Sequence, residues 1–243
     1  MKTNTTYIIQ IHFNDLDWNK DIPRLTKEWI MHRMDIFMNY TCKSLKNQTN
    51  QDFEAFVLYD PLSEENIKET LALYDPLPSN IHFIPKVLGL KTMKKNIASY
   101  ENVYFTKLDS DNMYHKSYIQ FLHDYTPKEN TLFLAFSKGY TYNALNGDLA
   151  TYTAVHEYFY TRVFKSSEYP QKLSIKIPIG GKEEAKHIPH EVITVPMFMI
   201  VCHDSNVTNT VRLVHPSRII QDKQEVSKVW KEFTNEDTPY VLG

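Results

Sequence analysis

The sequence predicts a single α/β domain over residues 1–243, parallel in its amino-terminal half and mixed in its carboxy-terminal half. Three observations support this. Short β-branched and aromatic runs alternate with helical-period segments through the first half, the pattern of parallel strands joined by crossover helices. The second half keeps strand-like runs but separates them with turn-rich stretches. Hydrophobic residues make up 42% and charged residues 23% of the 243, proportions that exclude global disorder and coiled coil.

Taken in order, Tyr7-Ile8-Ile9-Gln10-Ile11-His12-Phe13 reads as a buried strand running into the polar Asn14-Asp15-Leu16-Asp17. Ile30, Met34, Phe37, Met38, Thr41 and Leu45 recur at steps of three and four and predict a helix. Asp52 to Tyr59 is a second strand closed by Asp60-Pro61, and Ser63-Glu64-Glu65 starts a helix with acids in its first turn. Ile81 to Pro85 is a third strand, followed by the basic Lys91-Thr92-Met93-Lys94-Lys95-Asn96. Asn102 to Leu108 is a fourth, running directly into Asp109-Ser110-Asp111-Asn112. A helix carrying Tyr114, Tyr118, Phe121, Leu122 and Tyr125 is expected next. In such sheets ligands bind at the carboxyl ends of the strands, so the loops after residues 13, 59 and 108 should share one rim.

In the second half, Thr131 to Phe136 and Met197 to Cys202 read as strands, with turn-rich segments around Gly139 to Asn143 and Gly180-Gly181 between them. The tail from Asp222 reads as a helix and a frayed end. The divisions expected are about 1–125, 126–221 and 222–243, with no linker between them.

Net charge is −2, from 27 Lys+Arg against 29 Asp+Glu, so no basic nucleic-acid footprint is visible. Only 6 Gly occur, and neither glycine-rich phosphate-loop pattern is present. Cys42 and Cys202 are too few for a disulfide framework or a zinc cage. The longest apolar run, Met197 to Cys202, is far short of the roughly 20 residues that span a bilayer. The first residues lack a signal-peptide pattern, so a cytoplasmic protein is expected. The helix from Ile30 to Leu45 is a poor face for peripheral membrane contact, because its apolar side serves the core. The 16 Tyr suit ligand grooves and sugar faces, although core and rim placement is the plainer account of each.

The chemistry centres on Asp109 and Asp111. Carboxylates separated by one residue at a strand end can point the same way and would repel each other. A hard divalent cation relieves that repulsion, takes oxygen from both and keeps positions for phosphate. The same spacing recurs at Asp15-Leu16-Asp17, which falls in a polar loop where solvated acids are common. The plainer reading of Asp109 and Asp111 is a turn and helix cap.

Ser44 to Thr49, Phe53-Glu54 and Val57-Leu58-Tyr59-Asp60 resemble the opening of inverting GT-A glycosyltransferases of the family 2 type. More narrowly, His32-Arg33 to Gln48, Phe105 to Asn112 and Met197 to Asn209 are similar to the rhamnosyltransferase family, in order from residue 7 to about 212. The resemblance implies a GT-A-like fold, a nucleotide-sugar donor, a saccharide or other hydroxyl acceptor, and Mn²⁺ or Mg²⁺. It implies that Asp109 and Asp111 face metal and diphosphate, that Asp60 lies near the nucleoside, and that His203 lies near metal or phosphate with Asn206 beside it. Lys107 stands where Arg is more usual, which keeps the charge but loses the bidentate fork. Asn112 stands where a third acid is more usual and removes one ligand. His203 alone also reads as a satisfied structural histidine.

Arg33 and Lys95 are candidate phosphate partners, with a solvated helix face as the competing reading. Inverting transfer needs a base for the acceptor hydroxyl. Glu191 has suitable chemistry after the metal motif, with His187, His190 and Asp148 as rivals and a loop acid as the plain alternative. Two other functions fit the same residues: sugar nucleotidyl transfer, and saccharide binding without catalysis.

Overall fold

Strand β1 (Thr5–His12) is buried along nearly its whole length, as a strand covered on both faces must be. Ile9 and Ile11 share one core with Ala55 and Val57, whereas Ile8 joins Phe56, Leu58, Val103 and Phe105 in another. Successive side chains therefore feed opposite faces of one sheet. The computed structural model describes residues 4–15, 23–153, 159–175, 188–206 and 214–242.

After β1 come α1 (Lys27–Phe37), a π-helical turn (Met38–Cys42), α2 (Lys43–Lys46), β2 (Glu54–Tyr59), α3 (Glu64–Leu71), β3 (Ile81–Pro85), α4 (Lys86–Ala98) and β4 (Asn102–Asp109). The short β5 (Met113–Tyr114) and α5 (Tyr118–Asp124) follow, then β6 (Phe133–Phe136), β7 (Lys138–Asn143), β8 (Leu149–Thr153), β9 (Phe159–Lys165), α6 (Gln171–Ser174), β10 (His190–Ile193), β11 (Phe198–Cys202) and α7 (Lys223–Thr234).

Seven strands form the main sheet in the order β10-β6-β9-β4-β1-β2-β3. β4, β1, β2 and β3 are mutually parallel, and β9 runs antiparallel between β4 and β6. A second sheet takes the order β5-β11-β7-β8. The α/β class and the change from parallel to mixed pairing are as the sequence predicts. Register puts His12 beside Leu58 on one side and Asp109 on the other, so the loops after β1, β2 and β4 do share one rim, and β4 is central.

Three expectations change. Tyr114 does not begin a helix: it lies in β5, paired to Phe198, and its ring stacks on Tyr118 at 3.8 Å. The i, i+4 spacing that suggests one helix is satisfied by that stack. The segment around Gly139 is strand, not turn, because a Cβ at Gly139 would collide with the carbonyl and ring of Phe198; the glycine permits close approach of β7 to β11. The tail is not frayed. Asn235 ends α7 in the left-handed conformation, the Tyr240 carbonyl accepts hydrogen bonds from Tyr40 (3.0 Å) and Tyr142 (2.7 Å), and the Tyr240 hydroxyl donates to Asp35 (3.0 Å).

Removing residues 236–243 would leave the Tyr40 and Tyr142 hydroxyls in the core without an acceptor. At about 1–3 kcal/mol for each orphaned donor, a loss of roughly 2–6 kcal/mol is expected in urea unfolding monitored by circular dichroism. A midpoint unchanged by the deletion contradicts the tail's structural role.

Candidate active site

Asp109 closes β4, on the same sheet face as Lys107, Phe105 and Val103. The chain then turns, with the Asn112 amide N–H bonded to the Asp109 carbonyl at 3.2 Å. Buried Asn112 is a bracket. Its side-chain NH₂ donates to Asp109 Oδ2 (3.1 Å), its Oδ1 accepts from the Val201 amide (3.1 Å), and its carbonyl accepts from Thr41 Oγ1 (2.9 Å). An acid at 112 could accept from Val201 but not donate to Asp109, which accounts for Asn where a third carboxylate is more usual.

Asp111 turns toward α1 and the end of β11. Its Oδ2 accepts from Arg33 Nη2 at 3.0 Å and Asn206 Nδ2 at 3.1 Å, and lies 3.2 Å from His203 Nε2. Arg33 also donates from Nε and Nη2 to Ser110 Oγ (3.1 and 2.8 Å) and lies 3.3 Å from His203 Nε2. His203 is held on its other nitrogen by Ser205 (3.0 Å) and at its backbone N–H by Asn206 Oδ1. Three residues from two distant segments, α1 and the stretch after β11, thus converge on one carboxylate oxygen. The other, Asp111 Oδ1, is buried without any hydrogen-bond partner.

The two acids titrate in opposite directions. Asp109 keeps an exposed side chain, yet dense protein crowds its carboxylate; that desolvation first, and the charge of Asp111 second, push its carboxyl up to about 6. Burial alone would raise Asp111 too, but the Arg33 guanidinium and the contact with His203 hold it well below the usual range. The pair therefore carries a repulsion that neutralising Asp109 or adding a cation would relieve.

That pair and the orphaned Oδ1 suit a hard divalent cation with oxygen ligands. Among the described residues no group of three or more His, Cys, Asp or Glu surrounds a common point. A cation held there would take two carboxylates from the protein and leave its other positions to water and phosphate oxygens. His203, expected as a metal ligand, instead has both ring nitrogens engaged with Asp111, Asn206, Arg33 and Ser205, so it orients Asp111.

A family model described as "Putative rhamnosyl transferase" matches residues 19–219. The chain belongs to that family. No curated protein matches it. Among solved structures, residues 1–349 of S. aureus TarS in complex with UDP-GlcNAc are 12% identical, with a TM-score of 0.46 over 93% of this chain and 64% of that one. A Desulfovibrio desulfuricans structure described as a "putative nucleotide-diphospho-sugar transferase" is 12% identical, with a TM-score of 0.39 over 99% and 100%. This chain therefore spans a little under two thirds of the TarS structure's length.

In this rhamnosyl transferase family member, Asp60 sits on the rim as expected. It caps the turn after β2 by accepting from the Leu62 N–H (3.0 Å) and pairs with Arg24 at 2.9 Å. Partial burial would raise its carboxyl, but those hydrogen bonds and the Arg24 charge hold it below the usual range. Asn14 ties this loop to the one after β1, accepting from the Asp60 amide and donating to Ser63. Lys107 lies two residues from Asp109 on the same face; burial, then Arg162, lowers its ammonium pKa.

Sequence reasoning passes over His12, Asp15 and Lys86. Asp15 is not a solvated loop acid: its side chain is fully buried, both oxygens lie 2.9 Å from His12 Nδ1, and Lys86 approaches at 3.3 Å. His12 is register partner to Asp109, and a strand ending in His beside a chemistry-bearing strand is the signal that could have found it. Asp17 lies outside the described residues.

Two expected residues are elsewhere. Lys95 is exposed at the carboxyl end of α4, beside Asn96, which bonds Thr6 at the start of β1. Thr6 pairs with Val103, six residues upstream of Asp109 and so about 20 Å away along the strand; Lys95 is on the opposite rim. Glu191 is on the outermost β10, in register with Leu134 and through Thr161 with Thr106, about 14 Å across the sheet from β4. It accepts from Tyr125 (2.9 Å), the Lys128 amide (2.8 Å) and Thr131 (2.8 Å). Although some burial opposes it, these bonds lower its pKa. Glu191 is a clamp on a loop, not a base beside the acid pair. Of its rivals, His190 stacks on Phe133 at 4.8 Å, Asp148 accepts from Asn146 in the β7–β8 turn, and His187 lies outside the described residues.

Because the folded state raises the Asp109 pKa above its unfolded value near 4, ionised Asp109 weakens the fold above about 6, and the cost fades as pH falls toward 4. Asp109→Asn should therefore raise Tm at pH 7.5, with the gain vanishing by about pH 4. A variant less stable than wild type at pH 7.5 contradicts the stored repulsion.

Proposed function

We propose that this chain transfers a sugar, rhamnose by the family's description, from a nucleoside-diphosphate donor to a hydroxyl of a saccharide acceptor, releasing the nucleoside diphosphate. The carrying observation is the buried, unpartnered Asp111 Oδ1 beside the raised Asp109 carboxyl. Leaving such an atom without a partner costs stability, and folds tolerate that cost where function uses it.

Asp109 and Asp111 are the residues that would hold Mn²⁺ or Mg²⁺, which when bound neutralises charge on the leaving diphosphate. The chain's own residues do the rest by orientation. Arg33, Asn206 and His203 fix one oxygen of Asp111 and so aim the other; Asn112 fixes Asp109. Lys107, with its ammonium partly desolvated, adds positive charge beside the diphosphate. Asp60, held by Leu62 and Arg24, faces the nucleoside. In this reading residues of about 1–125 bind the donor, 126–221 the acceptor, and 222–243 form the tail.

A thermal-shift panel of UDP-, GDP- and dTDP-sugars with Mn²⁺ tests the reading. At 100 times Kd a donor adds about 2.7 kcal/mol, on the order of 5–10 °C in a chain of this size. The true donor should show this rise, EDTA should reduce it, and no rise with any donor refutes the proposal. Asp111→Asn should keep the fold and lower kcat/KM by roughly 100- to 1000-fold; full turnover in that variant removes the acid pair from the mechanism.

A further inference from the structure

Helix α4 is packed on one narrow line. Gly89, Met93 and Ile97, each one turn apart, are its buried residues, and Met93 and Ile97 join the core over Phe56, Leu58 and Phe105. The rest of the helix is open. Val87 is 60% exposed, Leu88 54% and Leu90 43%, and Lys91, Lys94 and Lys95 are exposed among them; Val87, Leu88, Lys91 and Lys95 lie opposite the buried line, with Leu90 and Lys94 on one flank. The side chains of these three lysines make neither an ion pair nor a hydrogen bond among the described residues, whereas Lys27, Lys68, Lys86 and Lys116 each have a carboxylate partner. Aliphatic residues interleaved with lysines give this face both an apolar and a cationic component.

We propose that the outward face of α4 docks this protein on an anionic lipid surface, with Val87, Leu88 and Leu90 entering the headgroup boundary and Lys91, Lys94 and Lys95 facing its negative charge. Charge complementarity selects the occupant: α4 contains no acid, its Lys91, Lys94 and Lys95 have no ion-pair partner among the described residues, and lipid-surface helices combine exposed aliphatic residues with lysines. The chemistry fits a protein partner less well, since protein interfaces are depleted in Lys and enriched in Trp, Tyr and Arg, none of which occurs in α4. The apolar end has a functional position. Val87 and Leu88 directly follow β3, whose Pro85 pairs with Tyr59 at the end of β2, so they lie on the rim that carries Asn14, Asp60 and Asp109. Docking there lays the side of the sheet along the bilayer, with that rim at one end of the footprint and Lys95 at the other. No described helix is long and apolar enough to cross a membrane, so attachment of this kind is interfacial.

The test is sedimentation of the full chain, without nucleotide or metal, on phosphatidylglycerol vesicles and on phosphatidylcholine vesicles at 0.1 M NaCl. Binding to the anionic vesicles alone is expected. The combined Lys91→Gln, Lys94→Gln, Lys95→Gln variant should bind on the order of 100-fold more weakly, since each lysine near such a surface contributes about fivefold. Leu88→Cys, labelled with an environment-sensitive dye, should shift to the blue on anionic vesicles; the native Cys42 and Cys202 are buried and do not compete for the label. No binding to anionic vesicles overturns the proposal, as does equal binding to both lipids or an affinity indifferent to the three lysines. Failure on vesicles with retention on polyglutamate beads reassigns the face to an acidic protein and also overturns it. Because donor and metal are absent from the assay, its outcome is independent of the sugar-transfer reading.

Discussion

The structure depends on a carboxylate buried in a place where it cannot be comfortable. Asp111 lies at the seam between the two sheets, one oxygen shared by Arg33, Asn206 and His203 and the other facing no donor. Burying an ion is costly unless it is paired and hydrogen-bonded. Arg33 meets that requirement for Asp111; Asp109, exposed and held by the Asn112 amide, has no ion pair among the described residues, and its carboxyl is raised instead. A site built only for stability would have used Asn at one of these positions. The asymmetry leaves room for one more positive charge.

Much of this was legible in residues 7 to 112, because parallel strands buried on both faces are written as short apolar runs whose ends are marked by Asn14, Asp60 and Asp109. Those three do share a rim. Ser44 and Gln48, read only as part of a family resemblance, turn out to brace the segment after the acid pair: Ser44 accepts from the Tyr114 amide, and Gln48 bonds the His115 carbonyl and the Ile119 amide. Lys95 and Glu191 misled for a common reason. Sequence distance from the acid pair says nothing about which end of a helix, or which strand of the sheet, a residue occupies. An α4 start at Lys86 places Lys86, not Lys95, beside the β1 loop. The antiparallel insertion of β9 pushes β10 to the sheet edge, and no local pattern announces that insertion.

The tyrosines illustrate a different limit. Tyr40, Tyr114, Tyr118 and Tyr142 are among the largest fully buried side chains, so their abundance reports on the core rather than on a sugar groove. Their hydroxyls find acceptors or form short networks, as Tyr118 does with Thr106 and Thr161, which is how a buried phenol becomes tolerable. Composition reveals their number, and only packing reveals their employment.

The helix that supplies Arg33 explains why the two halves form one site. Ile30, Met34 and Phe37 bury against the main sheet's core, whereas Ile36 and Tyr40 bury with Met199, Val201 and Trp230 of the other. A regular α-helix presents one apolar stripe, and this one must serve two cores at once. The π-helical turn at Met38–Cys42 interrupts the regular winding, and Leu45 beyond it packs in the first core. Thr41, within that turn, bonds the Asn112 carbonyl, and Arg33, upstream of it, bonds Ser110 and Asp111. One helical segment therefore holds the acid-bearing loop at Ser110, Asp111 and Asn112.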